Sequence, residues 1–510
     1  MGSVFNTDRR IKLGIWGLGR GQSFIKAAGA LNIDVVAGCD INPMMRESFK
    51  KNVPGAYLTD DEDDFLRQDM DAVLIATFFM DHAKHAIKAM EAGKHVMCEV
   101  TSFLTPGDGV KLVEAVEKSG KVYNLLENYP FTKENMFLRK LYQDGFFGEF
   151  MYAEFEYLHE CRTLAYAYNV ANGVPIEPGY AVHSWRSILN MHYYNTHSLG
   201  PVMNITGLRP VSVYAPVDEV VLPGYLDELR TASVCPSFVK MSNGGLVRNL
   251  MGSSTNDYHM GGRFWGTRAG ADKLNGLKIR VGACGGGQLL NIRPEWPELG
   301  ELAETTGHGG GDFWELYYFA REVLQGEPAP WNIYAAADVT LAGIMAARSQ
   351  AMNGATLDIP DFRKPEDRER FRDDFKHEMK KNFDPAGLFP KGHDTSITGN
   401  YSKVMVALYP KNANGGLPCF NKALDGMKLY PYIADGDGKL AIVKNVMKAI
   451  AEMPELAETC KLARRIAEAY PDCMPGRSLK RLLAQPDIAK VEDTEKTIAE
   501  FKAWLDDVKD

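Results

Sequence analysis

The chain has 510 residues, enough for two to four domains at roughly 100–200 residues each. Hydrophobic residues make up 45% and charged residues 24%, so a large core is available and the composition is not of a disordered type. The net charge of −8, with no basic block, argues against nucleic acid as the main partner. No apolar run nears the ~18 residues of a membrane helix, so no membrane partner is expected. The eight cysteines are scattered without a C-x-x-C pair, so neither a disulfide framework nor a metal site is expected. Residues 1–10 are polar and lack the apolar stretch of a signal peptide. The expected compartment is the cytoplasm, or a secreted or periplasmic one if a leader has been trimmed.

In chain order, residues 11–16 form a short apolar run that predicts a buried strand. Gly17-Leu18-Gly19-Arg20-Gly21 follows, then a helical stretch over 22–31. Glycines are needed where a strand turns tightly into a helix whose first amides approach a pyrophosphate. The strict G-x-G-x-x-G spacing is not met, because the third glycine comes one place early, before Gln22. A second strand over 35–39 ends at Asp40, about 20 residues on. An acidic residue there accepts the adenosine ribose hydroxyls and selects NAD over NADP; the alternative is a helix cap before Pro43. Strands over 72–77, 95–99 and 122–127 alternate with helices over 82–92 and 108–119. That alternation predicts a parallel, doubly wound sheet.

Met80-Asp81-His82-Ala83-Lys84-His85, running on to Val96, resembles the segment before the E-K-P motif of the Gfo/Idh/MocA family of sugar and inositol dehydrogenases. The resemblance spans about 11–362 and closes on Leu357-Asp358-Ile359-Pro360-Asp361-Phe362. It implies an α/β protein with a Rossmann domain over 1–128 and an α+β domain with an open mixed sheet over 129–362. A mainly helical extension follows over 363–510. It also implies that Gly17, Gly19, Arg20, Gly21, Asp40, Thr77, His82, Glu99 and Asn128 lie about NAD. His85 and His95 are read as structural. The open sheet face serves subunit contacts in the family, so a homo-oligomer, dimer or tetramer, is expected.

Two of the family's catalytic groups are missing. Val100 stands where E-K-P has lysine, and Tyr193 stands four residues before His197, where the dehydrogenases carry aspartate. Tyr194-Asn195-Thr196-His197 followed by Ser198-Leu199-Gly200-Pro201 is similar instead to glycoside hydrolase family 109, the NAD-dependent α-N-acetylgalactosaminidases. Tyr157-Leu158-His159, the Trp185-Arg186 pair, Tyr258 and Gly307-His308-Gly309-Gly310 also resemble segments of that family. Residues 164–180 and everything after 362 lie outside the likeness.

The resemblance implies a redox-neutral cycle on a small-molecule glycoside. Its steps are oxidation at carbon 3, removal of the carbon-2 hydrogen, loss of the group at carbon 1, hydration and re-reduction. Tyr157 is then expected at the carbon-2 proton, and His197 at a hydroxyl or the leaving group, with Tyr194 beside it. Tyr258, Trp185, Arg186 and His308 are expected to contact the sugar. Tyr194 and His197, three residues apart, share one face if the segment is helical. The two-carboxylate route of most glycosidases has only Glu99, Glu127, Glu154 and Glu156 as candidates by type. The alternatives are a net sugar or cyclitol dehydrogenase and a catalytically silent NAD-binding sensor.

Beyond the first domain, β-rich runs over 147–157, 211–215, 238–242, 246–251, 278–281 and 289–292 fit the mixed sheet. Helices are expected over 312–325 and 334–353. In the extension, 363–381 reads as a charged helix and 385–426 as loop. Residues 439–453, 454–470 and 491–508 read as amphipathic helices.

Overall fold

The computed structural model describes residues 4–159, 189–220, 234–252, 259–282, 287–379, 389–410 and 415–508. Six strands form the first sheet: β1 (Ile11–Trp16), β2 (Ile33–Cys39), β3 (Tyr57–Thr59), β4 (Ala72–Ile75), β5 (His95–Glu99) and β6 (Tyr123–Leu126). Their order is β3-β2-β1-β4-β5-β6, and every pairing is parallel. Strands β4 and β6 are buried along their whole length, as parallel strands covered on both faces must be. The helix Pro106–Ser119 shows how locally the connections are specified. Thr105 caps its first turn, Pro106 opens it, and Gly120 ends it at φ +61°. The strand order reverses between β1 and β4, and ligand crevices open at such a reversal, beyond the carboxyl ends of the strands.

The second sheet holds β7 (Phe150–Leu158), β8 (Pro210–Tyr214), β9 (Val234–Met241), β10 (Leu246–Gly252), β11 (Gly262–Gly266), β12 (Gly270–Asp272), β13 (Lys278–Val281), β14 (Gln288–Asn291) and β15 (Leu357–Asp358). Its order is β14-β13-β12-β11-β7-β10-β9-β8-β15, with β7 and β10 the parallel pair. Strand β9 alternates, burying Cys235, Ser237, Val239 and Met241 and exposing Phe238 and Lys240. The buried face packs on the helices Thr196–Thr206 and Ile333–Ala351. The outer face carries Tyr214, Phe238, Leu246 and Trp265 among charges such as Glu154, Arg248 and Arg263. Strands β11 and β12 escape the sequence reading because they are three to five residues long and open on glycine.

The extension departs most from expectation. The charged stretch after 363 is helical only over Pro365–Phe371. It then continues without regular structure between the first domain and the helix Ile333–Ala351, with Arg372 paired to Glu114, Arg348 to Asp374, and the Gly107 amide donating to the Asp374 carbonyl. The segment expected as loop contains the helices Tyr401–Leu408 and Gly416–Leu429, whose Tyr401, Met405, Leu408 and Phe420 are buried. Helical apolar spacing there outweighs local Gly, Pro and Asn content. The two helices expected to meet at Pro454 are one, Gly436–Ala469. Proline removes one backbone donor, but Val446, Met453, Leu456 and Cys460 are buried on both sides of it and hold the helix continuous. Among the described residues no helix is long and apolar enough to cross a membrane.

Candidate functional site

The residues singled out in the first domain gather just past the carboxyl ends of its strands. Gly17 follows β1 at φ +93°, and a Cβ there would stand 2.3 Å from the Ala76 carbonyl oxygen. A Cβ on Gly21 would stand 2.5 Å from the Ile15 side chain, whereas one on Gly19 would meet nothing within 4 Å. The three glycines therefore divide the work. Gly17 makes the tight turn, Gly19 leaves room for a ligand's approach, and Gly21 lets the helical stretch pack on β1. Asp40 accepts from the Leu18 amide at 2.7 Å and the Asn42 amide at 2.8 Å. It does not cap the following helix, because the Asn42 side chain does that by accepting from Met44. Burial raises the Asp40 carboxyl above its ordinary value, and those two amides oppose the rise. Asn128, just past β6, has a buried side-chain oxygen with no protein partner. A glycine turn with open space at Gly19, an acidic residue ending β2 and an orphaned amide oxygen fit a dinucleotide such as NAD.

The other expected cofactor contacts are held in structure. Thr77 Oγ1 lies 2.8 Å from His85 Nδ1, and His85 stacks on Trp16. The ring nitrogens of buried His82 face the Thr101 and Thr77 carbonyls at 2.8 and 3.3 Å. His82 thus braces the loop after β4 against the segment after β5, and its burial disfavours the imidazolium. Glu99 Oε1 accepts from Arg20 at 2.8 Å. Val100, in the lysine's place, is buried in the core.

The second group of candidates converges. A short turn, Met191–Tyr194, leads into the helix Thr196–Thr206, and His197 sits in its first turn. The rings of Tyr194, Tyr129 and Tyr157 lie 4.5, 4.7 and 4.8 Å from that of His197. Tyr157 reaches it because it shares the buried face of β7 with Ala153 and Phe155. Glu154 and Glu156 face outward, pairing with Arg248 and His259. His197 Nδ1 lies 2.8 and 2.9 Å from the two carboxylate oxygens of Glu127, which is fully buried. Tyr193 does not share this pocket. It is buried behind the helix, where its hydroxyl accepts from the Glu378 amide at 2.9 Å.

A second histidine–carboxylate pair faces the first across Tyr129. The His308 ring lies 6.1 Å from Tyr129, and its Nδ1 lies 2.9 Å from Asp312 Oδ1. His308 has φ +52° and is followed by Gly309 and Gly310 at +61° and +90°, so the loop rises in left-handed backbone before the helix Gly311–Gln325 begins. Asp312 also accepts from both terminal nitrogens of Arg20, at 3.0 and 2.9 Å. Burial alone would raise its carboxyl. The bonds from His308 and Arg20, with the Arg20 charge, instead hold it well below the usual carboxylate range. One turn on, Glu315 is fully buried with neither carboxyl oxygen partnered. Burial, then the charges of Asp312 and Glu99, pushes its carboxyl well above the ordinary value.

Sequence reasoning missed Tyr129, Asp312 and Glu315 and had Glu127 only by residue type. The available signal was position, since Glu127 and Tyr129 follow the last parallel strand. Trp185, Arg186 and Tyr258 lie outside the described residues.

The family model of the oxidoreductase NAD-binding Rossmann fold, Gfo/Idh/MocA, matches residues 11–126. That of the glycosyl hydrolase 109 C-terminal domain matches 292–368. A glycosyl hydrolase family 109 protein of Stenotrophomonas maltophilia is 26% identical over 405 residues, covering 69% of this chain and 89% of the relative. An alpha-N-acetylgalactosaminidase of Tannerella forsythia is 26% identical over 409 residues, covering 70% and 87%. In fold, the chain is similar to a levoglucosan dehydrogenase solved with NADH and L-sorbose, with a TM-score of 0.57 at 16% identity. That likeness covers 70% of this chain and all of the dehydrogenase. The chain thus carries an NAD-binding Rossmann domain of the Gfo/Idh/MocA type and a glycosyl hydrolase 109 C-terminal domain.

Proposed function

We propose that this chain, a Gfo/Idh/MocA Rossmann domain joined to a glycosyl hydrolase 109 C-terminal domain, is an NAD-dependent, redox-neutral glycosidase. Its substrate in this reading is an α-N-acetylgalactosaminide or a related glycoside, the activity named for the Tannerella relative. The observation that carries the reading is the cluster of Tyr157, Tyr194 and His197 beside the strand-end crevice, with Val100 buried in the lysine's place.

When bound, NAD⁺ would supply a hydride acceptor for carbon 3 of the sugar, and its reduced form would return the hydride once water has added at carbon 1. The protein's own task is to move protons. His197 has Nδ1 turned to Glu127, which leaves Nε2 to take the proton of the carbon-3 hydroxyl. Tyr157 takes the carbon-2 proton, which the neighbouring carbonyl has made acidic. Tyr and His side chains can both take and give protons in such steps. His308, on the more open side, gives a proton to the departing oxygen at carbon 1. Asp312 keeps its ring aimed there.

The test is one cuvette. The purified protein is mixed with aryl α- and β-glycosides, and phenol release and NADH absorbance are followed together. Phenol release without NADH build-up supports the reading. NADH build-up from free sugars and added NAD⁺, without phenol release, overturns it in favour of a net dehydrogenase.

A further inference from the structure

Two domains meet at the Glu127–His197 pair. His197 belongs to the helix packed on the second sheet, and Glu127 to the end of β6 in the first. The dehydrogenase pattern would draw its carboxylate from position 193, on the same segment as the histidine. Here Tyr193 is turned away onto the Glu378 amide, and a carboxylate 70 residues upstream takes its place. Glu127 is itself held. Its Oε1 accepts from the Tyr129 amide at 3.1 Å, and helix position 200 is a glycine beside its Cγ, where a Cβ would stand 3.4 Å away. Four groups pack directly on the imidazole: Glu127 past β6, Tyr129 in the next turn, Tyr157 on β7 and Tyr194 before the helix. Glu315 lies within reach of the Glu127 charge, which helps raise its carboxyl. Among the described residues, Glu127 is the carboxylate bonded to His197.

We propose that Glu127 is the positioning residue for His197, holding its proton on Nδ1 so that Nε2 remains the base, from the other domain than the aspartate it replaces. A carboxylate accepts from an imidazole N–H and cannot donate while ionised, so it selects one tautomer. The inference rests on the reading of His197 as a base, but its first test needs no turnover. The full-length protein with NAD bound and ¹⁵N-labelled histidine is observed by NMR, with His197→Gln assigning the signal. At a pH where the ring is neutral, His197 is expected to carry its proton on Nδ1. A proton on Nε2 overturns the proposal.

Glu127→Gln then tests the consequence with a 4-nitrophenyl α-N-acetylgalactosaminide. The expected result is retained cofactor and a kcat lowered at least ~100-fold with little change in KM. Glu127→Asp restores part of the rate. An unchanged rate, or no recovery with Glu127→Asp, overturns the proposal. If the Gln variant fails to fold, the wild-type tautomer decides alone. If the wild type cleaves no glycoside while the Nδ1 tautomer is found, the glycosidase reading fails and the positioning of His197 stands.

Discussion

The two histidine–carboxylate pairs on either side of Tyr129 have nearly the same geometry, at 2.8 and 2.9 Å, and very different surroundings. The side chains of His197 and Glu127 are 5% and 0% exposed, whereas His308 is 38% exposed over a buried Asp312. A buried pair is screened little by water, so its geometry is held and its free nitrogen acts within the closed pocket. An open pair exchanges protons with solvent and can accommodate leaving groups of different size. The same two residue types therefore suit two different proton transfers, and burial makes the difference.

The largest effect that separates them comes from removing the buried histidine. His197→Ala is expected to lower kcat by ~10²–10⁴-fold on every substrate, whatever its leaving group. Cofactor content, read from the absorbance of the released dinucleotide, stays at the wild-type level. Equal turnover by the variant would remove His197 from the mechanism.

His308→Ala sharpens the comparison because its effect depends on the substrate. An alkyl glycoside, whose oxygen leaves poorly without a proton, is expected to lose ~10²-fold. A dinitrophenyl glycoside, whose phenolate leaves unaided, is expected to lose no more than about threefold on the same grounds. Equal losses on both would assign His308 to binding instead of proton transfer.

The smallest effect concerns Glu315, the unpartnered carboxyl behind both pairs. Its folded value is raised, so the native state keeps a proton that the unfolded chain gives up near pH 4.5. The stability it contributes is present below that pH and is lost as pH rises toward the folded value. The slope for one proton is about 1.4 kcal/mol per pH unit. Glu315→Gln keeps the neutral shape and removes that loss. Urea midpoints measured from about pH 5 to about pH 8 should fall more steeply for the wild type than for the variant. Parallel curves would mean that Glu315 is ionised in the folded protein.

Legibility in the sequence follows the range of the interaction. The glycine turn, Asp40 ending β2, and the helix Pro106–Ser119 with its Thr105 cap are local, and each is readable from neighbours a few residues apart. Tyr194 and His197 were predicted to share a face, and their rings lie 4.5 Å apart because three residues span one helical turn. The extension was misread for the same reason. Pro454 and the Gly- and Pro-rich stretch before 426 are local breakers, and a helical core assembled from distant residues overrode them.

The sequence by itself determined the doubly wound first domain, the glycine turn for the dinucleotide, and the replacement of the dehydrogenase lysine and aspartate by Val100 and Tyr193. Only the tertiary structure decided which carboxylate meets His197 and which cation meets Asp312. Glu127 reaches His197 across 70 residues, and Arg20 reaches Asp312 across 292. Backbone periodicity specifies contacts within a turn or across a pleat and carries no information at those separations. The first pairing exists because the end of β6 meets a helix packed on the second sheet, and the second because the helix Gly311–Gln325 packs against β6 of the first sheet.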